Sequence, residues 1–284
     1  MVKSLSDRLF QIFVYLVSIV ACLVCIVPML HVLNVSLMSY VDSIRSGIAL
    51  FPTSISLESY RYLLEDPYIV TSFKNTVFIT LVGTALSLLF SAMMGYSLSR
   101  KDLPGVSVLM SLVAFTMLFS GGMIPTYYVV RELGLINSLW AMILPVLISP
   151  FNVIILRSFF RNIENSLIES AYIDGAGEFR IFAQIVMPVS KPVLATIGLF
   201  YGVGYWNTFF TALFYITKNE LNPLQVVVRG LIAQATISDY AAEQHYTMGL
   251  RMAAVVISAV PIIAVYPFLQ RYFVKGMMIG AVKG

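Results

Sequence analysis

Few side chains in this sequence are spaced to do chemistry. Cys22 and Cys25 form a C-x-x-C pair, which serves thiol–disulfide exchange where it follows a strand and opens a helix. Here the pair lies inside a long apolar run, so buried, inert thiols are expected. His31 and His245 have no cysteine or carboxylate at ligand spacing, and no metal site is expected. No Gly-Lys dipeptide occurs, which removes a P-loop and its phosphate cradle. No catalytic residue is assigned. The chemistry that remains is binding. Tyr205-Trp206-Asn207 sets rings beside an amide, a pairing that suits a sugar: a pyranose C–H face packs on a ring while its hydroxyls need donors and acceptors. Asn152, Tyr127 and Tyr128 extend this candidate path. Trp206 as an ordinary packed or interfacial aromatic is the alternative.

The elements that must position these residues are membrane spans. Of 284 residues, 59% are hydrophobic and 11% charged, and the mean hydropathy is +0.87, whereas a soluble domain is about a quarter charged. Apolar runs of membrane length, about 20 residues, fall near 11–37, 69–98, 106–129, 138–159, 193–217 and 249–273. The expected fold is an all-α membrane protein of six transmembrane helices, one domain over 1–284 set in a lipid bilayer. Placing the N-terminus inside puts the larger share of the 18 Lys and Arg residues on the cytoplasmic side, so both termini are expected there. The basic residues are scattered over loop ends without a stripe, and no nucleic acid partner is expected.

Counting 1.5 Å per residue from Pro192 puts Trp206 roughly 20 Å from the cytoplasmic edge, a little beyond the midplane. An amide at the depth of Asn207 should face the bundle interior or a partner. In the third run, Gly121-Gly122 and Pro125 mark either a broken helix, tolerated in lipid where a cavity or protein satisfies the backbone, or a site of close helix packing. Two external loops follow, 38–68 and 218–248. The first carries Ser56-x-x-Ser59 with Leu57, Tyr60, Leu63 and Leu64, spaced as a short surface helix that serves as a lid or a docking element. The second is long and polar enough to protrude. Lys275-Gly276, Gly280 and Lys283-Gly284 read as a flexible cytoplasmic tail.

One charged segment lies between two membrane-length runs, FRNIENSLIESAYIDGAGEFRIFAQIVMPVSK at 160–191. Ser166 and Glu169 have capping-box spacing, and Gly175 suits a left-handed helix end. A second helix should start at Glu178 and end at Pro188. Two short apolar helices held at an angle on a membrane domain make a docking knob.

Glu169-Ser170-Ala171, Gly175 six positions after the Glu, then Ile185 and Pro188 resemble the EAA loop of binding-protein-dependent ABC importer permeases, EAA-x3-G-x9-I-x-L-P. Ser170 stands where the family usually has Ala, and Met187 where it has Leu. The strings IDGA, VMPVSKP, FSGGMIPTYY, LGLINSLWAMILP, GYWNTFF and RYFVKGMMIGAVKG are similar to the carbohydrate branch, so the resemblance covers most of the chain. It implies a type I ABC importer permease, in which Glu169, Ser170, Ala171, Tyr172, Asp174, Gly175, Ile185 and Pro188 couple to an ATPase from the cytoplasmic loop 160–191. It further implies a second homologous permease subunit in a heterodimer, an ATPase dimer that holds ATP and Mg, an extracellular sugar-binding protein, and a carbohydrate substrate. The chain itself would bind no cofactor and be no enzyme, and would lie multi-pass in a prokaryotic cell membrane. Glu169 then has two competing jobs, capping its own helix or pairing with an Arg on the ATPase.

Other readings are an ABC permease for a non-sugar solute and an ion-coupled secondary transporter. An anionic solute would favour Arg or Lys along the path, where aromatics and amides stand instead. Ion coupling usually keeps ionisable residues in the membrane interior, and no Asp or Glu falls in the six runs.

Overall fold

A computed structural model describes residues 5–39, 42, 51, 55–100, 102–238 and 248–281, and all regular structure among them is helical. The helices are α1 (Leu5–Ser36), α2 (Glu58–Glu65), α3 (Pro67–Ser99), α4 (Val106–Leu118), α5 (Met123–Glu132), two 3-10 turns within Leu139–Val146, α6 (Pro150–Arg161), α7 (Asn165–Ile173), α8 (Glu178–Val189), α9 (Lys191–Trp206), α10 (Phe210–Tyr215), α11 (Leu224–Ser238) and α12 (Met248–Ala281). Stretches of α1, α3 and α12 are each long and apolar enough to cross a membrane. Three bent pairs raise the total to six if each is one span: α4 with α5 at 113°, the Leu139–Val146 turns with α6 at 52°, and α8 with α9 at 84°.

The run 106–129 is therefore no straight helix. It breaks at Phe119–Gly122, where Gly122 takes φ +85, a left-handed value that favours glycine. A Cβ at Gly122 would meet nothing within 4 Å and one at Gly121 only Pro125, so the glycines serve the turn and not close packing. The run 193–217 also breaks, since α9 ends at Trp206 and α10 begins at Phe210. The expected flexible tail is helical through Ala281, and 282–284 lie outside the described residues. The protruding loop 218–248 holds a helix, α11, whose first turn buries Leu224 and Val227, while His245 and the rest of 239–247 lie outside the described residues.

The chain forms two compact units, 1–70 with 228–260 and 71–227 with 261–284. In the first, α1 is not buried among the described residues over most of its length. Cys22 and Cys25 are consequently exposed free thiols rather than buried ones, on a helix whose apolar surface is uncovered by the described residues. Packing begins at its C-terminal end. The Ser36 and Tyr60 hydroxyls lie 2.6 Å apart, the Ser56 amide donates to the Leu37 carbonyl at 2.7 Å, and Leu63 of α2 is fully buried. Gly249 closes this corner: a Cβ there would come within 3.2 Å of Ser59 Oγ and 3.4 Å of the Val35 and Met38 carbonyls.

The second unit is organised around α3 and α9, which run antiparallel. Tyr201 and Tyr205, one turn apart on α9, place their hydroxyls 2.6 Å from Ser91 Oγ and 2.8 Å from Ser87 Oγ, one turn apart on α3. The helices approach closely because small residues stand at the crossing. A Cβ at Gly83 would lie 2.8 Å from the Tyr205 ring, and one at Gly202 3.5 Å from Thr84 Oγ1. Gly95 does the same for α6, since a Cβ there would meet Leu156 Cβ at 3.0 Å and the Arg157 amide nitrogen at 3.3 Å. The same tyrosines satisfy irregular backbone. The Tyr205 hydroxyl donates to the Ile143 carbonyl at 3.3 Å, and the Ser149 amide donates to the Tyr201 hydroxyl at 2.9 Å. These two bonds satisfy part of the backbone of the 3-10 segment before α6. Farther along, Asn137 sits at φ 59, and its Oδ1 accepts from the amides of Thr217 and Lys218.

Candidate functional site

The segment 160–191 folds as two short helices joined at a glycine. The expected capping box does not form. Helix α7 begins at Asn165 behind an extended Glu164, no side chain caps it, and Ser166 is already inside the first turn. Glu169 is thus released from capping and is exposed at a 280 Å³ polar recess shared with Arg100, Asp102 and Arg161. The C-terminal end matches expectation. Gly175 takes φ +75, the Ala176 amide donates to the Ala171 carbonyl at 2.9 Å and the Gly175 amide to the Tyr172 carbonyl at 3.0 Å. Those two bonds and the left-handed glycine make a Schellman cap.

Helix α8 starts at Glu178 as expected but passes through Pro188. A π-helical turn, Phe182–Val186, precedes the proline, and the Met187 amide reaches back to the Phe182 carbonyl. The wider turn changes the register ahead of Pro188, and the helix runs on to Val189 before bending at Ser190. Burial sorts the apolar residues. Ile168, Ala171, Ile181 and Val186 enter the core, while Ile173 is 87% and Phe179 76% exposed, flanked by exposed Ser170, Asp174 and Arg180. Ile185 is half-buried against the core. A latch ties the segment to the end of α3. The Tyr96 hydroxyl donates to Glu178 Oε2 at 2.6 Å, Arg100 pairs with Glu178 Oε1 at 3.2 Å, and the Tyr172 hydroxyl also donates to that carboxylate. Burial alone would raise the Glu178 pKa, but the bonds from Tyr172 and Tyr96 and the charge of Arg100 hold it below the usual carboxylate range. The hydrogen bond to Glu178 and burial raise that of Tyr172.

A second feature is a cavity of about 620 Å³ between α6, α9 and α10. It gathers Asn152, Tyr205 and Asn207 of the expected path, together with Tyr201, which the sequence reading missed because nothing local distinguishes it from a core tyrosine. Asn152, in the first turn of α6, is 5% exposed and its amide makes no hydrogen bond to any described residue, so it opens onto the cavity. Asn207 ends α9. Its Nδ2 donates to the Val203 carbonyl at 2.9 Å, leaving Oδ1 as an acceptor. Phe151, Phe200, Phe209 and Phe210 complete the aromatic wall.

The remaining expected path residues stand elsewhere. Trp206 is 6% exposed, meets Phe73 edge-on at 5.9 Å and lines an apolar hollow with Val77 and Pro261. Tyr127 stacks on Tyr215 at 6.2 Å, and the exposed Tyr128 lies under the Arg131 guanidinium at 5.0 Å. Among the described residues, no group of three or more His, Cys, Asp or Glu could hold a metal.

Residues 103–279 match the family model of the binding-protein-dependent transport system inner membrane component. The chain is 43% identical, over 99% of its length and all of the relative's, to the polygalacturonan/rhamnogalacturonan transport system permease protein YtcP of Bacillus subtilis. It is 32% identical, over 88% of its length and 90% of the relative's, to the arabinooligosaccharides transport system permease protein AraQ of Halalkalibacterium halodurans. In structure it is similar to a chain of a bacterial ABC transporter involved in the import of the acidic polysaccharide alginate, with TM-score 0.88, 31% identity, and coverage of 96% of this chain and 99% of that one. A multi-pass helical protein with these matches is a transporter component and not an enzyme. The chain belongs to the family of binding-protein-dependent transport system inner membrane components.

Proposed function

We propose that this chain is a permease subunit of an ATP-driven importer that passes a saccharide from an external binding protein into the cytoplasm by alternating access. The observation that carries the reading is the cavity at the end of α9, where the amide of Asn152, 5% exposed and with no hydrogen bond to a described residue, faces a wall of aromatic rings. Rings offer faces to pyranose C–H groups, and Asn152 with Asn207 offers donors and acceptors to hydroxyls. The relatives named for polysaccharide or oligosaccharide transport support the same reading.

In this reading the chain crosses a bacterial cell membrane six times with both termini cytoplasmic, in the type I arrangement. A second homologous permease completes the pathway, and a separate ATPase dimer holds ATP and Mg. The segment 160–191 meets that dimer through Ile173 and Phe179, with Glu169, Ser170 and Asp174 beside them. Closure of the ATPases moves the two such segments together and opens the pathway outward. The test is uptake by the assembled complex. Asn152→Ala and Asn207→Ala are each expected to raise the KM for saccharide about fivefold to tenfold, the worth of one lost hydrogen bond, with ATPase assembly unchanged. Normal kinetics in both variants would remove the cavity from the path.

A further inference from the structure

The cavity that holds Asn152 carries no charge: among the described residues that line it there is no Lys, Arg, His, Asp or Glu. Its strongest hydroxyl donors are already engaged. Tyr205 is held by Ser87 and the Ile143 carbonyl, and Tyr201 by Ser91 and the Ser149 amide. Asn207 keeps its Nδ2 on its own helix and presents an oxygen. A carboxylate entering here would give up its water for aromatic faces and the neutral Asn152 amide, with no cation to compensate its charge, whereas an uncharged hydroxyl needs only the donor and acceptor that Asn152 and Asn207 present.

We propose that this wall selects uncharged saccharide units and disfavours uronates. The proposal rests on the saccharide reading above and adds to it the substrate class. It also departs from what names alone suggest, since one similar structure serves an acidic polysaccharide and one relative is named for polygalacturonan. Selection follows from the wall's own chemistry: ring faces accept C–H surfaces, Asn152 and Asn207 accept and donate to neutral hydroxyls, and nothing neutralises an anion.

The test uses the assembled complex in nanodiscs without binding protein, and a matched probe pair. The probes are a short oligogalacturonide and its carboxyl-reduced form, in which each carboxylate is replaced by a hydroxymethyl group on the same ring. The reduced form is expected to bind at least tenfold more tightly. Thr211→Lys in this chain, which brings a cation to the wall, is expected to narrow that preference at least threefold. If that variant fails to assemble, Asn207→Lys at an exposed lining position provides the same readout. Equal or tighter binding of the uronate by the unmodified complex overturns the proposal and leaves the saccharide reading standing. A preference that neither Lys variant moves also overturns it, because selection would then lie outside this wall. Binding of neither probe overturns the saccharide reading itself.

Discussion

Gly175 and Gly177 form a controlled pair. Gly175 has φ +75, whereas Gly177 has φ −75 and ψ 165, which any residue adopts. A Cβ at either position meets nothing within 4 Å, so neither Ala variant clashes and any difference between them is conformational. Each replacement removes the same freedom from the unfolded chain, a stabilisation of about 0.4–1 kcal/mol. Only at 175 must the new Cβ sit in the left-handed region, at a cost of about 1–2 kcal/mol. The unfolded-state gain cancels in the comparison, so Gly175→Ala should be the less stable by about 1–2 kcal/mol. That is a factor of about 5 to 30 in the opening of the α7 cap. The direct readout is hydrogen exchange at the Ala176 amide, which donates to Ala171 at 2.9 Å and loses protection when the cap opens. Uptake per ATP hydrolysed should fall in Gly175→Ala and further in Gly175→Val, with Gly177→Ala at the unmodified level. Equal protection in the two Ala variants would refute the conformational argument. Normal transport by Gly175→Val with its cap open would refute the assignment of coupling to this segment.

Two further outcomes are expected. Tyr205→Phe keeps the ring beside Gly83 but leaves the buried Ser87 hydroxyl and Ile143 carbonyl without their partner, which should cost about 1–3 kcal/mol and be read as a lower thermal inactivation temperature of the purified complex; an unchanged temperature would mean that water reaches this crossing. Glu178 is held below the usual carboxylate range, so its folded form adds stability that is present above the unfolded pKa and lost as pH falls through the depressed folded value. The difference in melting temperature between the unmodified complex and Glu178→Gln should therefore be full at neutral pH and vanish in acid below that range, and a difference that survives there would deny the latch its charge.

What the sequence disclosed was whatever is decided within a few residues. Gly175 was legible because a helix end needs a residue tolerant of positive φ, whereas Gly121-Gly122 left a break and close packing both open until the left-handed Gly122 decided for the break. The short helix at 58–65 followed from its apolar spacing. The capping box failed because α7 starts two residues earlier than a cap at Ser166 implied, which puts Glu164 at the cap position. The helix through Pro188 was hidden because the π turn that precedes it, with Phe182 and Val186 buried, was not read from the sequence. The cavity was half legible. Asn152 and Asn207 stand out as amides in apolar runs, but whether Tyr205 or Trp206 faces them depends on which side of α9 meets α3. That is fixed by Gly83, Ser87 and Ser91, more than a hundred residues away. The two cysteines were misjudged because an apolar run was taken to mean burial in protein, and among the described residues none covers that stretch of α1.

The 84° bend at Ser190 gives α8 and α9 the form of a bell crank. One arm is the 12 residues of α8, about 18 Å, and the other the 16 of α9, about 24 Å, at 1.5 Å per residue. Turned as one piece about the bend, the crank delivers at Asn207 about four thirds of the displacement applied at Phe179, rotated through nearly a right angle. Because α9 is bolted to α3 through two hydroxyl pairs, the load is shared by α3, and the Tyr96–Arg100–Glu178 latch braces the input arm against the same post. In the proposed alternating access, gain and direction of such a stroke would be set by the lengths of two helices and one angle, so adding a turn to α9 would lengthen it at the cavity without replacing any of the cavity's lining residues.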